Sequence, residues 1–110
     1  MEIRRRLHKD KWTIKVVSIK EMKKVNDGDP DAEGLCDIEN KIIYIREDTI
    51  SYNTIAHEVF HAYWSYLHLD HTNNIEVVDV EEIAASFFAS EGEEMVNKSK
   101  SIFKKLKPEE

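Results

Sequence analysis

The sequence predicts an α+β fold in which a small sheet of about three strands packs on two long helices. Residues 12–16 alternate apolar and polar side chains, a period of two that is typical of a strand with one buried face. Two more extended runs, 34–38 and 41–45, are separated by only two residues, which favours an antiparallel hairpin. From residue 52 onward the apolar positions recur every three or four residues, as they do on helices.

Length and composition predict one domain over residues 1–110. The chain has 110 residues with two prolines and three glycines, so it can bury a modest core without a linker. Its formal charge of −6 disfavours nucleic acid as the main partner, and the basic stretch from Arg4 to Lys11 is predicted to be a solvated start of the chain.

The single cysteine and the absence of a long apolar run predict the cellular compartment of the protein. Cys36 has no second cysteine to pair with in the chain, which fits a reducing compartment, and a lone cysteine in a strand is usually a small buried hydrophobe. No segment approaches the roughly 18 uninterrupted apolar residues of a membrane helix. We therefore expect a soluble, cytoplasmic protein without a membrane partner.

Helix signals place three helical segments. Ser18 and Glu21 have capping-box spacing and predict a short helix that ends near Asn26, before a turn-rich loop at 26–31. Ser51 is a suitable N-cap for a long helix from about residue 52 to 69. A second long helix is predicted over about 79–96, and the tail from about 97 is expected either to add a helical turn or to fray.

The segment "HEVFHAYW" at 57–64 carries the clearest chemical signal. His57 and His61 are one helical turn apart, so both imidazoles project from the same side of the helix and can share one ion. Glu58 lies about 100° round the helix from His57, where it can take a proton from a metal-activated water. This is the HExxH spacing of zinc metalloproteases.

A catalytic zinc site also needs a third protein ligand. Glu81 is predicted to face the core from the second long helix, where an unpaired carboxylate is costly, and is chosen as that ligand. Glu82 is an alternative, although with Asp79 as N-cap it would occupy the second position of a capping box. His71, in the loop between the helices, is a further alternative.

The segments "TIAHEVFHAYW" and "EEIAASFFA", with the hairpin "GLCD…KIIYI", resemble the gluzincin metallopeptidases. The resemblance covers about residues 34–90 and is greatest to their smallest members, the minigluzincin-like phage and mobile-element relatives of the ImmA/IrrE type. Phe60 and Ala85 stand where those relatives commonly have Gly and Asn. The Gly usually lets a strand pack against the helix, so Phe60 implies a different local contact.

The resemblance implies a zincin-like fold, His57, His61 and Glu81 as Zn²⁺ ligands, and Glu58 as general base. The expected function is that of a zinc metalloendopeptidase, a hydrolase that cleaves protein or peptide substrates by a metal-activated water and is either active or latent. The substrate is expected to bind as an extended segment against the edge of the sheet. The alternative is a catalytically silent or latent zinc-binding interaction module, and a third interpretation is a metal-free binding domain with both histidines in its core.

Overall fold

The computed structural model describes residues 1–26, 32–67 and 77–107, which form an α+β fold as the sequence predicts. One mixed sheet of four strands carries two long helices on it, with a short helix between the second and third strands. The strands are β1 (Glu2–Leu7), β2 (Asp10–Val17), β3 (Gly34–Asp37) and β4 (Ile42–Arg46), and the helices are α1 (Ile19–Val25), α2 (Tyr52–Trp64) and α3 (Val77–Leu106).

The strand order is β1-β2-β4-β3, so the hairpin β3–β4 joins the sheet through its second strand. β1 pairs antiparallel with β2, β4 pairs parallel with β2, and β3 pairs antiparallel with β4. The predicted hairpin and the strand at 12–16 are therefore confirmed. β1 and β3 lie at the two ends of the sheet.

The prediction of about three strands was wrong because the basic start of the chain is itself a strand. Residues 2–7 pair with β2 from Glu2↔Lys15 to Leu7↔Asp10. Leu7 is fully buried and Ile3 is half-buried, while the guanidinium of Arg5 reaches Ser101 of α3, with Nε 3.5 Å from its Oγ. Arg5 is half-buried, whereas Arg4 and Arg6 are exposed.

The helix caps confirm several local predictions. Ser18 and Glu21 form a capping box at the start of α1, which ends at Asn26, and Ser51 caps α2 by accepting a hydrogen bond from the Thr54 amide. α2 changes to a 3₁₀ turn at Ser65–Leu67. The predicted loop at 27–31 and the segment 68–76, which includes His68 and His71, lie outside the described residues.

Helix α3 is longer at both ends than the predicted 79–96. It begins at Val77, so Asp79 lies inside the helix and is not its N-cap. At the other end it continues to Leu106, where Ile102 and Leu106 are buried against the rest of the protein. No helix in the described ranges is long and apolar enough to cross a membrane.

The core lies between the sheet and one face of α2, and α3 extends it on one side. Most of its sheet residues come from alternating positions of β2 and β4, because successive side chains of a strand point to opposite faces, and Leu7 comes from the end of β1. The members from the sheet and α2 are Leu7, Trp12, Ile14, Ile43, Ile45, Ile55, Val59, Ala62 and Tyr63, and those from α3 are Phe87, Met95, Ile102 and Leu106.

Candidate metal centre

The face of α2 that points away from the core carries the histidine pair. Ile55, Val59 and Ala62 are buried, whereas His57 and His61 are exposed one turn apart on the opposite side. Their Nε2 atoms are 3.1 Å apart, and the ring centroids are 4.7 Å apart. Two imidazole nitrogens therefore converge on one point, as ligands of a shared ion must.

The electrostatics of the pair favour the form that binds metal. Desolvation, followed by the charge of the neighbouring His57, lowers the pKa of His61. A lower pKa keeps the imidazole of His61 neutral at pH 7, and the neutral ring is the one whose nitrogen can coordinate a cation. His61 can therefore bind a divalent ion without first losing a proton.

Glu58 lies between α2 and the edge strand β3. Its residue surface is only 6% exposed, although both neighbouring histidines reach solvent. A Cβ added at Gly34 would come within 2.9 Å of both Cγ and Oε2 of Glu58, so the carboxylate side chain rests directly on the backbone of β3. Gly34 is thus the residue that leaves room for Glu58.

Burial raises the pKa of Glu58, while the charge of His57 acts in the opposite direction. A carboxylate with a raised pKa accepts a proton more readily than an exposed one, which suits a general base near neutral pH. Glu58 is therefore a buried carboxylate next to the histidine pair in the helix, and its role as a general base stays a prediction.

An open cleft of about 310 Å³ borders this carboxylate. Glu33 and Gly34 form the sheet side of the cleft, and Asn53, Thr54, His57 and Glu58 form the α2 side. The Thr54 hydroxyl donates a hydrogen bond of 3.1 Å to Glu33 Oε2, which ties the two sides together. The sequence pattern did not predict that Glu33 and Thr54 would line a cleft beside Glu58. The one available indication was that Glu33 directly precedes a predicted strand.

The opposite flank of the histidine pair is aromatic. Phe60 stacks on Trp64 at 5.4 Å between centroids, and both rings meet Phe87 of α3 edge-on. Phe60 nevertheless remains 41% exposed, and its ring centroid is 6.2 Å from that of His61. The predicted change of local contact at Phe60 is therefore a packing contact with α3, while Tyr63 is a core residue.

The structure does not place a third ligand beside the pair. Glu81 is exposed, so the premise that it faces the core was wrong, and no group of three or more His, Cys, Asp or Glu side chains in the described ranges is arranged to hold a metal. Glu82 lines a different cavity, together with His8. His71 lies outside the described residues.

Cys36 is half-buried on β3 and packs against the core, as a small hydrophobe would. Burial raises its pKa to about 12, and the nearby charge of Glu58 adds to the effect. At neutral pH the side chain is therefore a neutral thiol, whereas metal ligation requires the thiolate.

Comparisons of the chain with protein-family models, curated proteins and solved structures found no match. A function is therefore inferred from the chemistry of the site itself.

Proposed function

We propose that this protein is a zinc-dependent metallopeptidase of the cytoplasm that cleaves protein or peptide substrates. In this proposal His57 and His61 hold the ion, Glu58 is the general base, and Glu81 supplies the third protein ligand. The observation that carries it is the convergence of the two Nε2 atoms at 3.1 Å with a buried carboxylate on the next residue.

The donor set fits zinc. Two imidazoles and a carboxylate are a common catalytic ligand set for Zn²⁺, which keeps its fourth position free for water or substrate. When bound, the ion lowers the pKa of water to about 7 and polarises a carbonyl group. Glu81 is exposed in the structure, so its place in the ligand set is tested by the zinc measurements below.

The chain's own residues supply binding and proton transfer. Glu58 takes a proton from the attacking water and delivers it to the leaving amine, a role favoured by its raised pKa. The cleft that borders Glu58 opens beside β3, an end strand of the sheet. A substrate strand can lie there with its backbone hydrogen-bonded to β3.

Zinc content tests the metal site. The wild-type protein is expected to bind one equivalent of zinc, and His57→Ala and His61→Ala are each expected to abolish tight binding because two ligands in this geometry act together. Glu81→Ala and Glu82→Ala then compare the two acidic candidates, and His71→Ala tests the loop. Unchanged zinc stoichiometry in both histidine variants would reject the site.

Catalysis has its own test in Glu58→Gln. The amide has nearly the same shape but cannot accept the proton, so zinc should be retained while hydrolysis of an unfolded protein falls by about 10²–10⁴-fold, the usual contribution of a general base. Equal hydrolysis by the variant and the wild type would exclude Glu58 as the base.

A second candidate is a catalytically silent zinc-binding interaction module, because the described residues do not bring to the histidine pair the third ligand that a catalytic site needs. A structural zinc site has all four positions filled by protein, whereas a catalytic site leaves one open. Cobalt-substituted protein titrated with acetohydroxamate distinguishes the two. A change of the visible spectrum indicates an open position, and an unchanged spectrum together with absent turnover indicates the silent module.

A further inference from the structure

A second cavity, of about 410 Å³, lies on a different side of α2 from the histidine pair. Its walls come from three places: the β1–β2 turn, the end of α2 with the 3₁₀ turn that follows it, and the first half of α3. The β1–β2 turn contributes His8, the end of α2 and its 3₁₀ turn contribute Tyr63 and Tyr66, and α3 contributes Phe87 and Glu91. Cavities of roughly 300–1,000 Å³ with mostly apolar walls are typical of small-molecule sites.

Apart from its two tyrosines, the ionisable groups among the described residues that line this cavity are the carboxylates of Glu82 and Glu91 and the imidazole of His8. Glu82 and Glu91 both contribute to its wall, and no lysine or arginine is among its described lining residues. Glu91 is only partly exposed and has His8 as its neighbour, with His8 Nδ1 3.3 Å from Glu91 Oε1. The described lining therefore carries two carboxylates and one imidazole, a balance that favours a ligand with a positive charge.

The aromatic wall of this cavity already has a cation as a neighbour. The Lys9 Nζ lies 5.7 Å from the centroid of the Tyr66 ring, within the range of a cation–π contact. The His8 ring packs on the same tyrosine, with centroids 4.5 Å apart. Lys9 and His8 thus already contact the ring of Tyr66, and a ligand in the cavity meets the part of the ring that they leave uncovered.

The two tyrosines are held in place through their hydroxyl groups. The Tyr66 hydroxyl donates to Asp10 Oδ2 at 2.7 Å and accepts a hydrogen bond of 3.1 Å from the Trp12 indole. The Tyr63 hydroxyl donates to Glu94. Because these hydroxyls already have partners, a molecule in the cavity meets the faces and edges of fixed rings. The polar side chains of the described lining are those of Glu82, Glu91, His8, Ser86 and Ser90.

We propose that this cavity binds a small organic cation, an ammonium group carried on an apolar body about the size of one aromatic ring. The ammonium group pairs with the carboxylates of Glu82 and Glu91, and the apolar body packs among Tyr63, Tyr66 and Phe87. The site is independent of zinc, since neither His57 nor His61 lines it.

The test uses 2-phenylethylamine as the probe and 2-phenylethanol as its uncharged counterpart. Titration of isotope-labelled protein, followed by amide and side-chain NMR shifts, locates the site and gives the affinity. The amine should shift resonances of Tyr63, Tyr66 and Glu91 and bind at least tenfold more tightly than the alcohol, because a charge-assisted hydrogen bond is about twice as strong as a neutral one.

Variants separate this site from other acidic surfaces and from the metal centre. The double variant Glu82→Gln/Glu91→Gln should weaken the amine at least tenfold, whereas Glu93→Gln, an exposed change on the same helix, should not. His57→Ala should leave the affinity unchanged, since a probe bound to zinc would lose its site in that variant.

Three results would overturn the proposal. They are equal affinity for the amine and the alcohol, shifts confined to residues around His57, and the same affinity in the double variant as in Glu93→Gln. Matched thermal unfolding of the variants ensures that a lost affinity is not a lost fold.

Discussion

At the residue scale, the contact between Gly34 and Glu58 decides where the proposed base can lie. An alanine Cβ at Gly34 would come within 2.9 Å of Glu58 Cγ, which is not the flexible end of that side chain. Gly34→Ala is therefore expected to displace the carboxylate and lower the free energy of unfolding by about 1–3 kcal/mol, as overpacking does. A displacement of about 1 Å would also reduce hydrolysis on the order of 100-fold with zinc retained. Urea unfolding and a peptidase assay measure the two effects.

Gly92→Ala is the matched control for that change. Its added Cβ would lie 3.2 Å from the ring of Phe88, which is 71% exposed and free to shift toward solvent. Alanine is favoured over glycine inside a helix by about 1 kcal/mol, so stability should be unchanged or slightly higher. If Gly34→Ala is as stable as Gly92→Ala, the close contact with Glu58 is not present in solution.

Cys36 offers a second residue-scale prediction. With its pKa raised to about 12, the folded protein holds far less thiolate at pH 8 than an unfolded chain with the ordinary value of 9.0. Alkylation by iodoacetamide should therefore be at least about 100-fold slower in the folded state than in urea, because only the thiolate reacts. Equal rates in the two states would contradict the buried position of Cys36.

The same shift couples stability to alkaline pH. The folded state keeps its thiol proton when an unfolded chain would lose it, so the contribution of Cys36 is complete below pH 9.0 and is lost as the pH rises toward about 12.

At the element scale, the last third of α3 is part of the core. Ile102 is fully buried, and Leu106 one turn later is nearly so. Ile102→Ala should lower the free energy of unfolding by about 2–5 kcal/mol, the usual range for a buried aliphatic side chain, whereas the exposed Lys104→Ala should change it by no more than about 0.5 kcal/mol. Chemical denaturation of the two variants compares them. Equal stability would mean that this end of the helix does not pack as described.

The sequence analysis left this end of the chain open between an added helical turn and fraying, because one polar residue interrupts the apolar stripe. Met95, Ile102 and Leu106 share one face with Ser99, which is 1% exposed. The Ser99 hydroxyl donates to the Met95 carbonyl at 2.7 Å, so the polar side chain is satisfied inside its own helix. A serine in such a stripe therefore does not mark the end of a buried face.

Strand β1 was missed for a related reason. Its alternation of half-buried and exposed residues is regular, but Arg5 stands at an inward position and conceals the period of two. The α2 helix and its caps were predictable because they depend on local sequence. The strand order was not, since the parallel pairing of β2 with β4 depends on contacts between segments far apart in the chain.

At the scale of the whole molecule, the core and the histidine pair lie on opposite faces of α2. The described core consists of apolar side chains from the sheet and helices, and His57 and His61 lie outside it. Spacing alone could predict that the two imidazoles converge because both are on one helix, one turn apart. A third ligand depends on how α3 sits against α2, which spacing does not determine.

Because the histidine pair lies outside the core, removal of the metal is expected to affect activity but not the fold. Chelation by EDTA should abolish hydrolysis but leave a folded protein with its helical circular dichroism and a cooperative thermal transition. Zinc returned at 100 times its Kd should stabilise the fold by about 2.7 kcal/mol, the value set by mass action for one site. Calorimetry with and without EDTA measures both. Global unfolding on chelation would instead make zinc a structural element of the fold.

The four-residue length of β3 limits how any extended chain can be recognised there. In an antiparallel pairing, alternate residues of a strand direct their amide and carbonyl groups to the same neighbour. With β4 on one side, only about half of the four residues can present these groups outward. A peptide added to this edge would be aligned by a few main-chain contacts only, so discrimination between sequences would fall to the side chains next to the scissile bond, and flexible regions of many different proteins could be accepted.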